Sequence, residues 1–266
     1  MGVAHGATPD EPVEPSGRDA EELSATAQLI RAELPRWKIA MGEDAAALTL
    51  NPKPILRWTN PATGRMHGEI YLWTGDGRPE AVMSLYKVWE PAWGFSGEFL
   101  SLSPATLVGE RSQTVAWRSD TPGIVFRDVP DAPPPAGAAP RRLQQMRSMA
   151  NDFTAVLIDY RQNSEGERQS LRLLTNPLYR YSSPKNDVVD GALFAFVVGT
   201  DVEVFLLLEA RGTKDVNRWQ YALARLNSDE IAAFWKEQEV WRVDKATFNE
   251  RNNPYVFMNL PEPAAQ

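Results

Sequence analysis

The chain has 266 residues, 43% of them hydrophobic, with nine Trp and no Cys, and a formal net charge of −7 at pH 7. That length and apolar content allow one large domain or two small ones, each with a real core. The acidic balance gives no footprint for nucleic acid or an anionic membrane, and no apolar run is long enough to predict a membrane span. The lack of Cys excludes disulfides, thiol catalysis and thiolate metal sites.

Residues 1–18 are rich in Pro, Gly, Glu and Ala and predict a disordered tail, with neither a secretory apolar stretch nor a myristoylation pattern. Asp19 to Leu34 predicts a helix. Asp19 is its N-cap, Glu21 and Glu22 suit the positive end of the dipole, and Leu23, Ala27, Ile30 and Leu34 share one face before Pro35 stops it. Trp37 to Met41 then alternates as a strand.

His67 to Lys87 predicts a hairpin. Ile70 and Leu72 alternate with Tyr71 and Trp73, Gly75-Asp76-Gly77 makes the turn, and Ala81 to Tyr86 runs back. Asp190 to Ala210 has the same design around Gly199-Thr200-Asp201. Its strands are apolar at nearly every position, so both faces should be covered.

The resemblance between the two hairpins extends outward. Gly68 and Gly191, and Glu80 and Glu203, match at an offset of 123 residues. Thr59-Asn60-Pro61 repeats as Thr175-Asn176-Pro177, and Phe99 to Ser103 matches Leu223 to Asn227. Trp117-Arg118-Ser119-Asp120 matches Trp241-Arg242-Val243-Asp244, and Val125 to Pro130 matches Val256 to Pro261. Asp131 to Pro140 is a Pro-rich linker. After it, Arg141 to Asp152 predicts a second helix with Leu143, Met146 and Ala150 on one face, followed by a strand from Phe153 to Ile158.

The expected fold is therefore α+β, a tandem duplication of a module with one N-terminal helix packed on a curved antiparallel sheet of about six strands. The boundaries are a tail at 1–18, a first repeat at 19–130, a linker at 131–140, a second repeat at 141–261 and a tail at 262–266. A single helix covers too little of such a sheet, so the two sheets should pack together or merge. The competing reading is an all-β meander whose strands merely look alike.

The segments LRLLTNPLYRY, DGALFAFVVGTDVEVFLLLEA and WQYALARLN resemble an uncharacterised bacterial family of predicted exported proteins, over residues about 20 to 260. The resemblance implies no catalytic residue. It favours an exported location, periplasmic or extracellular, over a cytoplasmic one.

Assembled chemistry is sparse. His5 lies in the tail, which leaves His67 as the one candidate imidazole, too few for a zinc site and without a nucleophile elbow to serve. No phosphate-binding Gly pattern is present. No metal or cofactor is expected. Glu80, Glu203 and Glu209 are the candidate acid/base carboxylates, Glu209 because it ends the most apolar strand, where burial would raise its pKa.

The copies differ most in two predicted loops. One carries Trp89, Trp93 and Phe95. The other carries Tyr179, Arg180 and Tyr181 in a segment read as seven residues longer than its counterpart around Ala62 to Met66. Aromatic and Arg-bearing loops suit protein, peptide or glycan partners. The leading reading is a non-catalytic binding or scaffolding protein acting through these loops. The alternative is a carboxylate-based hydrolase with a cleft between the repeats, and a third reading makes the aromatic loop a homodimer interface.

Overall fold

A computed structural model describes residues 17–42, 47–60, 64–91, 94–160, 166–213, 216–247 and 251–263. The first half contains α1 (Gly17–Glu33), β1 (Trp37–Ala40), β2 (Thr49–Leu50), β3 (Leu56–Thr59), β4 (Arg65–Gly75), β5 (Arg78–Glu90), β6 (Gly94–Ser101), β7 (Leu107–Arg111), β8 (Thr114–Ser119) and β9 (Arg127–Asp128). The second half contains α2 (Ala139–Asp152), β10 (Phe153–Asp159), β11 (Glu167–Ser170), β12 (Arg172–Ser183), β13 (Val188–Val198), β14 (Asp201–Thr213), β15 (Val216–Arg225), β16 (Glu230–Trp235), β17 (Gln238–Val243) and β18 (Tyr255–Leu260). The protein is thus α+β and mostly β, with antiparallel strands in several sheets rather than one curved sheet per half. Among the described residues, no helix is long and apolar enough to cross a membrane.

Two large sheets, β18-β6-β5-β4-β2 with β3 also on β4, and β12-β13-β14-β15-β9, form the centre. Their inner faces meet: Ile70, Leu72, Val82 and Leu100 pack with Leu193, Ala195, Phe205 and Leu207. The outer face of the first sheet, with Tyr71, Trp73, Met83 and Phe99, is covered by α1 and the small sheet β1-β7-β8. The outer face of the second, with Phe194, Phe196, Leu206 and Leu208, is covered by α2 and the small sheet β11-β10-β16-β17. Period-two alternation in each hairpin therefore sends both sets of apolar side chains into cores, which is why these strands tolerate almost no polar residue.

The halves also exchange their last strands. β9 leaves the first half to pair with β15, and β18 leaves the second half to pair with β6. Gln220 stands opposite Asp128 in one junction and Ser96 opposite Asn259 in the other. Gln220 Nε2 donates to Asp128 Oδ1 at 2.7 Å, and Ser96 Oγ donates to Asn259 Oδ1 at 3.2 Å. The turns are gripped crosswise as well. The Thr59 N–H donates to Thr200 Oγ1 at 2.9 Å, and Ser183 Oγ donates to Asp76 Oδ2 at 3.2 Å.

The register corrects one matching made from sequence. Trp58 lies opposite Gly68, and Tyr181 lies opposite Gly191. The same number of residues separates each ring from its Gly, so β2 and β3 together correspond to β12. Each ring lies flat over its Gly: a Cβ on Gly68 would come within 2.4 Å of Trp58, and one on Gly191 within 2.6 Å of Tyr181. Thr59-Asn60 thus ends β3, whereas Thr175 to Pro177 falls in a bulge of β12 between Leu174 and Tyr179. The two Thr-Asn-Pro segments are not equivalent. The extra residues of the second half lie between β10 and β12, where β11 is added, and not after Leu178.

α2 buries Met146 and Ala150 as the apolar spacing predicts, whereas the inward face of α1 includes acidic residues that the spacing does not. On α1 the buried residues are Glu22, Thr26, Ile30 and Glu33, with Leu23 and Ala27 at the margins. Glu33 is drawn inside by Arg111, which donates from Nε and Nη2 at 2.6 and 2.9 Å, and by Trp37 Nε1 at 2.9 Å. A buried carboxylate with three donors on it is satisfied, so the helix docks through a polar clamp.

Trp117 and Trp241 hold matching positions, opposite Gly109 and Ala233. Trp117 is fully buried and donates to the Asn253 carbonyl at 2.9 Å, whereas Trp241 is half-buried and lines a cavity of about 380 Å³ with Pro122 and Pro254. Trp117→Ala should cost about 3–5 kcal/mol and Trp241→Ala roughly half that. Equal losses in urea unfolding would mean that Trp241 is as deeply packed as its counterpart.

Candidate functional site

The contact between the large sheets has two polar ends, and they differ. At the closed end, Arg78 of β5 reaches across to the second half. Its Nη1 donates to Glu80 Oε1 at 2.9 Å and its Nε to Glu209 Oε1 at 3.0 Å. Glu209 also accepts from the Tyr181 hydroxyl at 2.8 Å. Two guanidinium groups lie over the Phe126 ring, Arg78 at 5.1 Å and Arg211 at 5.0 Å from its centre. The Arg78 and Glu209 side chains are 3% and 0% exposed, so this is a buried, charge-matched knot. Burial raises the Glu80 pKa against the pull of Arg78, and it pushes the Tyr181 hydroxyl well up, with Glu209 adding to the effect.

At the open end there is a cavity of about 590 Å³ between the halves. Its acidic lining is Glu98 from β6, Asp201 and Glu203 from β14, and Asp229 from the loop after β15. Its aromatic lining is Trp58, Tyr86, Tyr255 and Phe257. Trp58 and Tyr86 are in tilted contact, with centroids 5.2 Å apart. Each of three carboxyls is aimed by a neutral donor. The Tyr255 hydroxyl donates to Glu98 at 2.6 Å, Asn60 Nδ2 donates to Asp201 at 3.0 Å, and Asn227 Nδ2 donates to Glu203.

Among the described residues none of these three carboxyls has a cation beside it. Lys245 lies 3.8 Å from Asp229. Arg225, centred 5.6 Å from the Tyr255 ring, spends its donors on the carbonyls of Asn227, Asp244 and Asp229. With no counter-charge, protonation is the available relief. Burial, helped by Asp201, pushes Glu98 up to about 8. Burial raises Asp201 to about 6 and takes Glu203 well above the usual carboxylate range, again with Asp201 contributing. Glu98 retains some exposed surface, but that surface faces the cavity, so its carboxyl is still shielded from bulk water.

The carboxylates singled out in the sequence are therefore divided. Glu203 lines the cavity, while Glu80 and Glu209 belong to the closed knot. The predicted aromatic site is scattered. Phe95 is 2% exposed in the outer core of the first half. Trp89 donates to Thr26 Oγ1 at 3.0 Å and so braces α1. Trp93 lies outside the described residues. Tyr179, Arg180 and Tyr181 belong to strand β12 rather than to a long loop. Tyr179 stacks on Tyr181, with centroids 5.9 Å apart. Arg180 donates to both oxygens of Asp190 at 2.9 and 2.7 Å and to the Ala139 carbonyl at 2.7 Å, which ties α2 to the sheet. His67 is buried beneath α1, with Nε2 3.6 Å from Glu22 Oε2, away from the cavity.

Glu98, Asp201, Tyr86 and Phe257 were not singled out from sequence. The usable signal was Glu98 itself, an acid in the middle of the strand Gly94–Ser101. Among the described residues, no three His or acidic side chains come close enough together to hold a metal ion. Scans against known protein families, characterised proteins and solved structures returned no match to this chain.

Two outcomes follow. Arg78→Ala, which leaves Glu80 buried without a cation and Glu209 with Arg211 alone, 3.5 Å away, should cost about 3–5 kcal/mol, and adding Glu209→Gln should recover part of it. No recovery in the double variant would show that the knot acts through packing alone. A carboxyl whose pKa is raised by folding contributes stability below its unfolded value and loses it as pH climbs through the folded one. Glu98→Gln should therefore raise the unfolding free energy at pH 9 by roughly 2 kcal/mol, less than full linkage because solvent in the cavity screens the charge, and change it little at pH 5. Equal effects at both pH values would contradict a raised Glu98.

Proposed function

We propose that the chain is a tandem duplication whose second polar end has become a binding cleft for a small organic cation. Four features support the duplication. The paired hairpin strands have equal lengths, 11 and 13 residues in each half. Their bulges fall at matching places, between Trp73 and Thr74 and between Phe196 and Val197. The order of strands within the sheets corresponds, and the closing strands are exchanged in both directions.

One observation carries the functional reading: Glu98, Asp201 and Glu203 converge on an aromatic-walled cavity whose lining lysine, Lys245, is paired with Asp229 rather than with any of the three. A site that holds like charges together at a cost to its own stability favours a ligand of opposite charge. Trp58, Tyr86 and Phe257 supply ring faces, which attract cations once water is displaced. The protein is thus read as a binding protein, with its contacts in the cleft rather than through the aromatic loops.

Because the carboxyls must ionise to attract a cation, affinity should rise with pH. Calorimetry with butylammonium should show at least tenfold tighter binding at pH 8.5 than at pH 5, and Asp201→Asn should weaken it about tenfold. Binding that is independent of pH, or indifferent to Asp201, would remove the cation reading.

The second reading is a carboxylate-based hydrolase using the same cleft. It is favoured by the split between Glu98, protonated at neutral pH, and Asp201, largely ionised there, an acid and a base side by side. Turnover of aryl glycosides or esters that disappears in Glu98→Gln would support it, and no turnover by the unaltered protein would dismiss it for those substrates.

A further inference from the structure

The closed end indicates which cation the open end suits. Strand register relates the two. Arg78 and Asp201 are each the first residue of the returning hairpin strand, Glu80 and Glu203 the third, and Tyr86 and Glu209 the ninth. Phe257 stands opposite Glu98, and Phe126 immediately precedes Arg127, which stands opposite Tyr221. The two phenyl rings therefore hold corresponding places on the exchanged strands, with Ala222 where the other half has Glu98.

At the closed end a guanidinium already fills the space. Arg78 lies 2.9 Å from Glu80, 3.0 Å from Glu209 and 5.1 Å from the centre of Phe126. At the open end the carboxyl equivalent to Glu80 and the ring equivalent to Phe126 are kept. The residue that would supply the cation is an aspartate instead, a further acid is added at Glu98, and the space is a cavity of about 590 Å³. We propose that the cleft binds a guanidinium group, held by Asp201, Glu203 and Glu98 and stacked on Phe257, in the way that Arg78 is held internally at the other end.

Shape supports the choice. A guanidinium is flat, carries five N–H donors spread around its rim, is weakly hydrated and stacks on rings, whereas an ammonium is a compact, strongly hydrated point charge. Carboxyls contributed from two sheets to an aromatic-walled cavity suit the wide planar cation better than the compact one. The inference rests on the reading of the cleft as a cation site and narrows it.

The test is calorimetry on the full chain at pH 8 with butylguanidinium, butylammonium and the uncharged isostere butylurea. Butylguanidinium should bind at least tenfold more tightly than butylammonium, and butylurea should not bind measurably. Equal binding of the two cations would overturn the guanidinium assignment and leave the cation site standing, while no binding of either would overturn both. A Gly-Arg-Gly peptide separates the sources. Tighter binding than butylguanidinium assigns the site to an Arg side chain of a peptide, and weaker binding assigns it to a free small guanidine. Phe257→Leu should bring the preference over ammonium to within about threefold, and an unchanged preference would overturn the stacking. Asp201→Arg, which places an internal guanidinium where the other half has Arg78, should abolish binding; wild-type affinity in that variant would refute the correspondence. Asp201→Asn, an isosteric change, should lose at least tenfold in guanidinium affinity, and it answers the question if the Arg variant does not fold.

Discussion

Ile70, Leu72 and Val82 of one hairpin form a single apolar layer with Leu193, Phe205 and Leu207 of the other, and both hairpins are covered again on their outer sides. A backbone buried on both faces leaves few places for polar side chains, and those it admits lie at the ends of the layer. There each polar group must find a partner inside the protein or border solvent. The exchange of β9 and β18 strengthens the constraint, because each large sheet is completed by the last strand of the other half. The two halves therefore cannot separate without opening a sheet edge on each.

The two ends solve the same problem in opposite ways. Arg78, lying over Phe126, pairs with Glu80 and Glu209, and Arg211 supplies a second cation to Glu209, so burial of these charges is repaid by mutual attraction and hydrogen bonds. At the other end three carboxyls share one cavity, and only neutral hydroxyl and amide groups orient them. Burial in a shielded cleft resists ionisation, which is why Asp201 rises to about 6 and Glu98, with Asp201 adding to the effect, to about 8. Core packing does not require such an arrangement, since Ala222 stands in the place of Glu98 at the closed end. Sites that store unfavourable electrostatics are the usual locations of function.

Much of the fold was legible in the chain. The apolar runs around Asp76-Gly77 and Gly199-Thr200-Asp201 identify the hairpins, and their near-continuous hydrophobicity announces burial on both faces. The repeats Trp117-Arg118 and Trp241-Arg242 occupy matching strands. The Thr-Asn-Pro echo misled, because a short turn-forming tripeptide fits equally well at a strand end and in a bulge. Ile30 and Leu34 are buried as their spacing predicts, but the burial of Glu22 and Glu33 beside them escaped prediction. Hydrophobic spacing cannot anticipate that Arg111 and Trp37, distant in sequence or on another element, will draw Glu33 inside.

What the sequence determined by itself is local and periodic: which runs form strands, where they turn, which helices precede them, and that the two hairpins share a pattern. Those features follow from backbone preferences and side-chain alternation, which act within a few residues. Only the tertiary structure decided that the halves pack face to face with their last strands exchanged, and that Glu98 meets Asp201 and Glu203 while Arg78 meets Glu209. Those encounters join residues about a hundred positions apart, and whether a buried carboxyl is paired with a cation or held only by neutral donors depends on which of them comes to face it.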